Sequence, residues 1–355
     1  MRPVLVAAAF LCGTISVAHA EADHAAIARA SLTEVIRPGY AAFAEAAGAL
    51  KQKVEGLCAQ PSGPALQEAK DAFAAAVLAW SKVEIVRFGP VTQDHRFERL
   101  FFWPDAKGLG LRQIQDALAK EDANVTEPDE LAAKSVALQG LPALEYLLYG
   151  DGGVIPDDDR DFRCKFGLAV ATNVDRIANS VVEGWRDDST YEKAFMGPAP
   201  DDPYYHAPKE VTLDLFKTFT TGIELVRDQK LGKPLGANPD EAKPKLAAFW
   251  RSVLTFKNAA GNLEGARILF AQGGFAQVVR QESAGVEDSI LFDLDHAVDV
   301  LRGIDQPMAE VVKDEGLRAK IEALRVALKA AAQTAGDMIS RGAGLAFGFN
   351  AMDGD

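Results

Sequence analysis

The chain has 355 residues, 48% of them hydrophobic and 25% charged, with a formal net charge of −13. That acidic balance argues against nucleic acid and anionic lipid surfaces as partners. The length suffices for two domains, and no segment beyond the N-terminus is apolar enough for a transmembrane helix.

The first twenty residues read as a secretory leader. Arg2 supplies the positive start, Val4 to Val17 an apolar stretch too short to span a bilayer, and Ala18-His19-Ala20 a cleavage site. Loss of Arg2 with the leader takes the mature chain to −14. Cys12 follows Leu11, which is not small, so a soluble periplasmic or secreted protein is expected rather than a lipoprotein.

From there helical periodicity dominates. Ser31-Leu32-Thr33-Glu34 has the form of a capping box, and Leu32, Val35, Ile36, Tyr40, Phe43, Leu50, Val54 and Leu57 follow at helical spacing, with a kink expected at Pro38. Pro61-Ser62-Gly63-Pro64 interrupts the chain. A second helix shows Leu66, Phe73, Val77, Trp80 and Val83 on one face and ends at Gly89-Pro90. Residues 91–107 are irregular and aromatic (Phe97, Phe101, Phe102, Trp103), and long loops of this kind are often functional. A short helix follows around Leu111, Ile114 and Leu118. Asp129 is placed to cap the next one, which carries Gly140-Leu141-Pro142-Ala143-Leu144-Glu145-Tyr146-Leu147-Leu148-Tyr149.

That stretch pairs a proline with a carboxylate three residues later. A helix-interior proline loses a hydrogen bond and clashes with the carbonyl four residues back, here Leu138, at about 3 kcal/mol. The expectation is a helix opened one turn before Glu145. A long helix then runs from about Asp159, the last of three acids that would cap it, with Asn173 as its one polar insertion. The pattern divides the mature chain into an N-terminal bundle (21–188), a linker rich in Pro, Asp and Tyr (189–208) and a C-terminal bundle (209–355). Helices are predicted in the last at 209–228, 239–256, 258–272, 285–303 and 314–340. The fold class is all-α. Val83-Glu84-Ile85-Val86-Arg87 echoes Ile223-Glu224-Leu225-Val226-Arg227, and Gly140 with Glu145 echoes Gly261 with Glu264 more weakly, so the bundles read as an internal duplication.

Few residues carry obvious chemistry. Glu84 and Arg87 lie three apart among Trp80, Val83, Val86 and Phe88, either a polar site in the core or a structural ion pair. Glu145 among leucines needs a cation, a metal or a proton; pairing with Arg87 or Arg96 is the plainer reading. His95, in the aromatic loop beside Asp94 and Arg96, is the best histidine ligand candidate, although a lone loop histidine is more often only exposed. No zinc-peptidase pattern is present, and Gly342, Gly344 and Gly348 follow no strand, so they make no nucleotide loop. Cys58 and Cys164, an even pair in an exported chain, suggest one disulfide; the alternative is two free buried thiols.

The chain resembles the imelysin-like family. The resemblance rests on Trp80 to Pro90, Phe102-Trp103-Pro104-Asp105, Ser135 to Gly150, Glu224 to Gly236, and the closing Gly348-Phe349-Asn350-Ala351-Met352-Asp353-Gly354-Asp355. The family motif is Gly-x-His-x-x-Glu; Gly140 and Glu145 match it and Pro142 stands at the histidine. The resemblance implies two helical bundles, export, and a role in iron uptake or iron-regulated expression. A pocket between the bundles is expected to draw on Glu84, Arg87, Arg96, Asp105, Arg227 and Glu145, with Pro142 beside them. If iron or another divalent metal binds, Glu145, Glu84 and His95 are the available ligands. The function expected is a non-catalytic periplasmic binding or accessory component of iron uptake, with a metal ion or small ligand and an envelope iron-transport protein as partners. The alternatives are a metal-dependent peptidase, for which Pro142 supplies no ligand atom, and a purely structural module.

Overall fold

A computed structural model describes residues 22–150 and 160–345. The leader, the Asp157-Asp158-Asp159 cap and the closing segment from Gly348 lie outside the described residues. Among those described there are helices, turns and loops and no strand. In chain order the helices are α1 (His24–Ala30), α2 (Arg37–Ala59), α3 (Gly63–Val83), α4 (Arg96–Leu100), α5 (Leu109–Lys120), α6 (Pro128–Ala132), α7 (Gly140–Tyr149) and α8 (Arg160–Gly184). They continue with α9 (Thr190–Met196), α10 (Pro208–Glu224), α11 (Lys233–Leu235), α12 (Thr255–Gln272), α13 (Phe275–Glu282), α14 (Val286–Arg302), α15 (Met308–Val311) and α16 (Glu315–Gly342).

One bundle packs α2 against α3 and α8, with α7 laid across α8 and α3. The other packs α10, α12, α14 and α16, with α13 against α16. Helix α3 belongs to both, because its second face packs on α12. Contact there is close: a Cβ on Gly265 would stand 2.1 Å from the Lys82 carbonyl oxygen. The N-terminal helix also serves both halves. Helix α1 packs on α10, and a π-helical stretch (Ser31–Ile36) then redirects the chain into α2. The segment between the bundles is itself packed, for Tyr191 and Tyr205 are buried with hydroxyls 3.0 Å apart, and Tyr205 donates to Asp214 at 3.0 Å. The Cys58–Cys164 disulfide joins the end of α2 to the first turns of α8.

Several local expectations are corrected. The capping box at Ser31 does not start a helix. The alanine-rich stretch before it is already helical, Asp23 caps that stretch by accepting from the Ala26 N–H at 2.9 Å, and the Ser31 hydroxyl donates to the Gly273 carbonyl. Asp129 does not cap the motif helix; it lies in the first turn of the separate α6 and pairs with Arg176 at 2.7 Å. Pro142 opens no helix. Helix α7 begins at Gly140, so Pro142 falls in the first turn, where its missing N–H would have had no intrahelical partner. The 239–256 helix is absent: Pro239 and Pro244 each start a short 3₁₀ turn, and Phe249 (φ 53°) and Val253 (φ 60°) are left-handed. The sequence pattern did not show α13 at all. The Gly261–Glu264 echo lies inside α12, not at a helix start, and Glu264 pairs with Lys82 and Arg302.

Candidate functional site

Gly140 seats the site. Its φ is +75°, and a Cβ there would lie 2.3 Å from the Leu100 carbonyl oxygen and 2.5 Å from that of Arg99. Only glycine lets the start of α7 press against the end of α4 in this conformation. Residues three and four apart on α7 then share a face, and Pro142, Glu145 and Tyr146 line one cavity of about 300 Å³. Phe101, Phe102 and Trp103 form a wall of it, and Phe249, Trp250 and Arg251 of the irregular loop another. The cavity therefore lies where the aromatic loop and motif helix of the first half meet residues 245–251 of the second.

Glu145 is 3% exposed. Its Oε1 accepts from the Ser252 N–H at 2.8 Å and the Ser252 hydroxyl at 2.7 Å. Burial pushes the Glu145 carboxyl above the usual carboxylate range, against the opposing pull of those bonds and of the Arg251 charge. The two left-handed residues, Phe249 and Val253, bracket Arg251-Ser252 and so set the turn that delivers Ser252 to the carboxylate. A β-branched residue at positive φ is a true backbone outlier, a kind that clusters at functional sites. Arg251 carries its guanidinium over two aromatic rings, 4.2 Å from the Trp250 centroid and 5.2 Å from that of Tyr146.

Next to this cavity is a buried polar network. Lys230, in a π-helical stretch (Leu225–Gly232), is fully buried and donates to Glu84 Oε2 at 2.7 Å and to Asn258 Oδ1 at 2.5 Å. Asn258 and Asn262 donate to the same Glu84 oxygen at 3.2 and 3.1 Å, and Asn258 also donates to the Ser81 hydroxyl. The ammonium lies 5.2 and 5.4 Å from the ring centroids of Phe101 and Trp103, so the rings that wall the cavity also rest on this network. Burial lowers the Lys230 pKa to about 8, with Glu84 opposing. The network joins α3 to α12 and to the π-helical stretch that follows α10, and so fixes one half against the other.

The expected site residues separate into groups. Pro142, Glu145 and Asp105 line the cavity, Asp105 at its rim with both oxygens capping α5 through the N–H groups of Leu109 and Gly110. Glu84 is closed into the Lys230 network. Arg87 is exposed, 3.9 Å from Glu84 and stacked over Phe97. Arg96 holds its own turn through the Pro90 carbonyl, Gln93 and Asp94. Arg227 is held by Asp228. His95 is exposed, at φ 54°. Glu145, Glu84 and His95 are thus not brought together, and among the described residues no three His, Cys, Asp or Glu side chains gather as metal ligands.

Residues not anticipated are Ser252, Arg251, Trp250, Lys245, Lys230, Asn258 and Asn262. Two signals pointed toward them. Pro239 and Pro244 spoil the supposed helix before Trp250-Arg251-Ser252, and Asn258 and Asn262 sit four apart on an otherwise apolar helical face. Nothing in the sequence marks Lys230.

A family model described as imelysin (peptidase M75) matches residues 36–335. Iron-regulated protein A of Synechococcus elongatus is 22% identical over 206 residues, which cover 57% of this chain and 52% of that protein, so the match spans about half the length of the relative. The fold is similar to that of an imelysin-like protein from Psychrobacter arcticum (TM-score 0.73, 17% identity, 92% of this chain and 97% of that one). It is similar also to a putative iron-regulated protein A precursor from Parabacteroides distasonis (TM-score 0.76, 15% identity, with the same coverage). With a family model matched from Ile36 to Ala335, across both bundles and the cavity between them, the chain belongs to the imelysin family.

Proposed function

We propose that this protein is an exported, non-catalytic binding component of iron uptake, and that its ligand occupies the Glu145 cavity. The observation that carries the reading is a buried carboxylate, held by Ser252 from the other half of the chain, at an aromatic-walled cavity of small-molecule size. The leader residues support export. The link to iron comes from two relatives whose names describe them as iron-regulated.

The residues present do not fit a bare metal ion. Pro142 has no donor atom, Asp105 is committed to α5, and Glu145 Oε1 is committed to Ser252. A catalytic metal site needs about three protein ligands and an open position, which these side chains do not supply. Iron handled by this cavity would arrive within an organic complex, for onward transfer to an envelope transport protein. The test is cell iron content under iron limitation in a deletion strain. Wild-type protein should restore it and Glu145→Gln should not. Unchanged iron in the deletion strain removes the uptake role, and full rescue by Glu145→Gln removes the cavity from it.

A further inference from the structure

Resting on the assignment of the cavity as the ligand site, we infer that its ligand is an aromatic carboxylate bearing a hydroxyl donor. The first ground is the fixed cation. Arg251 stacks on Trp250 and Tyr146, and Lys245 lies 5.7 Å from the Trp250 centroid. Among the described residues neither cation has a carboxylate within ion-pair distance, in a chain whose acids outnumber its bases by 13. A guanidinium carried over ring faces keeps a fork of N–H donors, the group that takes a planar carboxylate through two parallel hydrogen bonds.

The second ground is the wall. Phe102, Trp103 and Trp250 present ring surface to the cavity, and rings pair with a flat π body at offset or edge geometry better than with a saturated one. The third is Glu145. A buried carboxylate with one oxygen already saturated by Ser252 suits an incoming O–H or N–H donor. The volume of about 300 Å³ lies at the small end for organic ligand sites, which suits a single-ring ligand and leaves a lone cation surrounded by unfilled apolar space.

The experiment is isothermal titration of the mature protein with 3,4-dihydroxybenzoate, benzoate, cyclohexanecarboxylate and ferric iron alone. It is repeated on Arg251→Gln, Trp250→Leu and Glu145→Gln, each first checked for a cooperative melting transition. Dihydroxybenzoate should bind. Arg251→Gln should weaken it at least tenfold, and cyclohexanecarboxylate should bind at least tenfold more weakly than benzoate. Glu145→Gln should weaken dihydroxybenzoate more than benzoate, which a merely structural role for Glu145 would not produce. Three results overturn the inference: no binding of either aromatic acid, equal binding of the saturated acid, or an Arg251→Gln variant that binds as wild type. Failure here beside an intact cell-iron phenotype refutes the ligand class alone. Binding without any iron phenotype keeps the ligand class and refutes the uptake role.

Discussion

Replacing Lys230 with methionine tests whether the buried network holds the two halves together. Methionine keeps the length and apolar bulk of the stem and removes the charge. The ammonium gives Glu84 its one bond from a charged donor, at 2.7 Å, and satisfies Asn258 Oδ1. Without it, a carboxylate that is 0% exposed keeps the Asn258 and Asn262 amides as its hydrogen-bond donors, with the exposed Arg87 guanidinium 3.9 Å away. Breaking a buried pair from one side costs about 3–5 kcal/mol. At roughly 2 °C per kcal/mol for a chain of this size, that is a fall in Tm of about 6–10 °C. Urea denaturation of Lys230→Met, Glu84→Gln and the double variant measures the coupling. The double variant should be more stable than the sum of the singles by about 2 kcal/mol, because it leaves no lone charge in the core. A Lys230→Met loss under about 1 kcal/mol, or strict additivity, would refute the argument. The pH dependence has a definite sign. Burial lowers the folded pKa of Lys230 from 10.5 to about 8. Between those values the unfolded chain keeps a proton that the folded chain has released, so wild-type stability relative to Lys230→Met should rise with pH across this window and be lowest below it.

Glu145 should show the opposite sign. Its folded pKa lies above the ordinary carboxylate value, so stability falls as pH rises through the gap between them; Glu145→Gln should be at least as stable as wild type at pH 7 by chemical denaturation, with the difference closing near pH 4. A variant clearly less stable at pH 7 would contradict burial as the main cause of the shift. Gly140→Ala combines a left-handed residue, about 1–2 kcal/mol, with a Cβ 2.3 Å from a backbone oxygen, so a total loss of about 3 kcal/mol or more is expected, together with weakened ligand binding as α7 shifts. Near-wild-type stability would mean that α4 and α7 are not in the contact described. Removing the Cys58–Cys164 link by the double serine variant opens a loop of 106 residues, worth about 4.8 kcal/mol by chain entropy; guanidinium denaturation of the variant beside wild type measures it, and an unchanged midpoint would refute that account.

Sequence alone determined whatever depends on period and short range. Leu50, Val54 and Leu57 at helical spacing sufficed for α2 and Trp80 and Val83 for the core face of α3, and the pair Cys58 and Cys164 suggested the disulfide that the structure contains. Gly140 and Glu145 were legible because both keep the family motif and a carboxylate among leucines requires a polar partner. Which backbone meets the glycine and which partner the carboxylate were not, since neither has a local signature. Leu100 meets Gly140, and Ser252 meets Glu145 from 107 residues away. The same limit explains Glu84. Spacing offered Arg87 three residues on, yet only the packing of α3 against α12 brings Lys230, 146 residues distant, into the core beside it. Periodicity also failed where two prolines and two left-handed residues replace a helix at 239–256, because amphipathic spacing is blind to φ. The lining of the cavity by Trp250 and Arg251 exists only because that stretch is not helical.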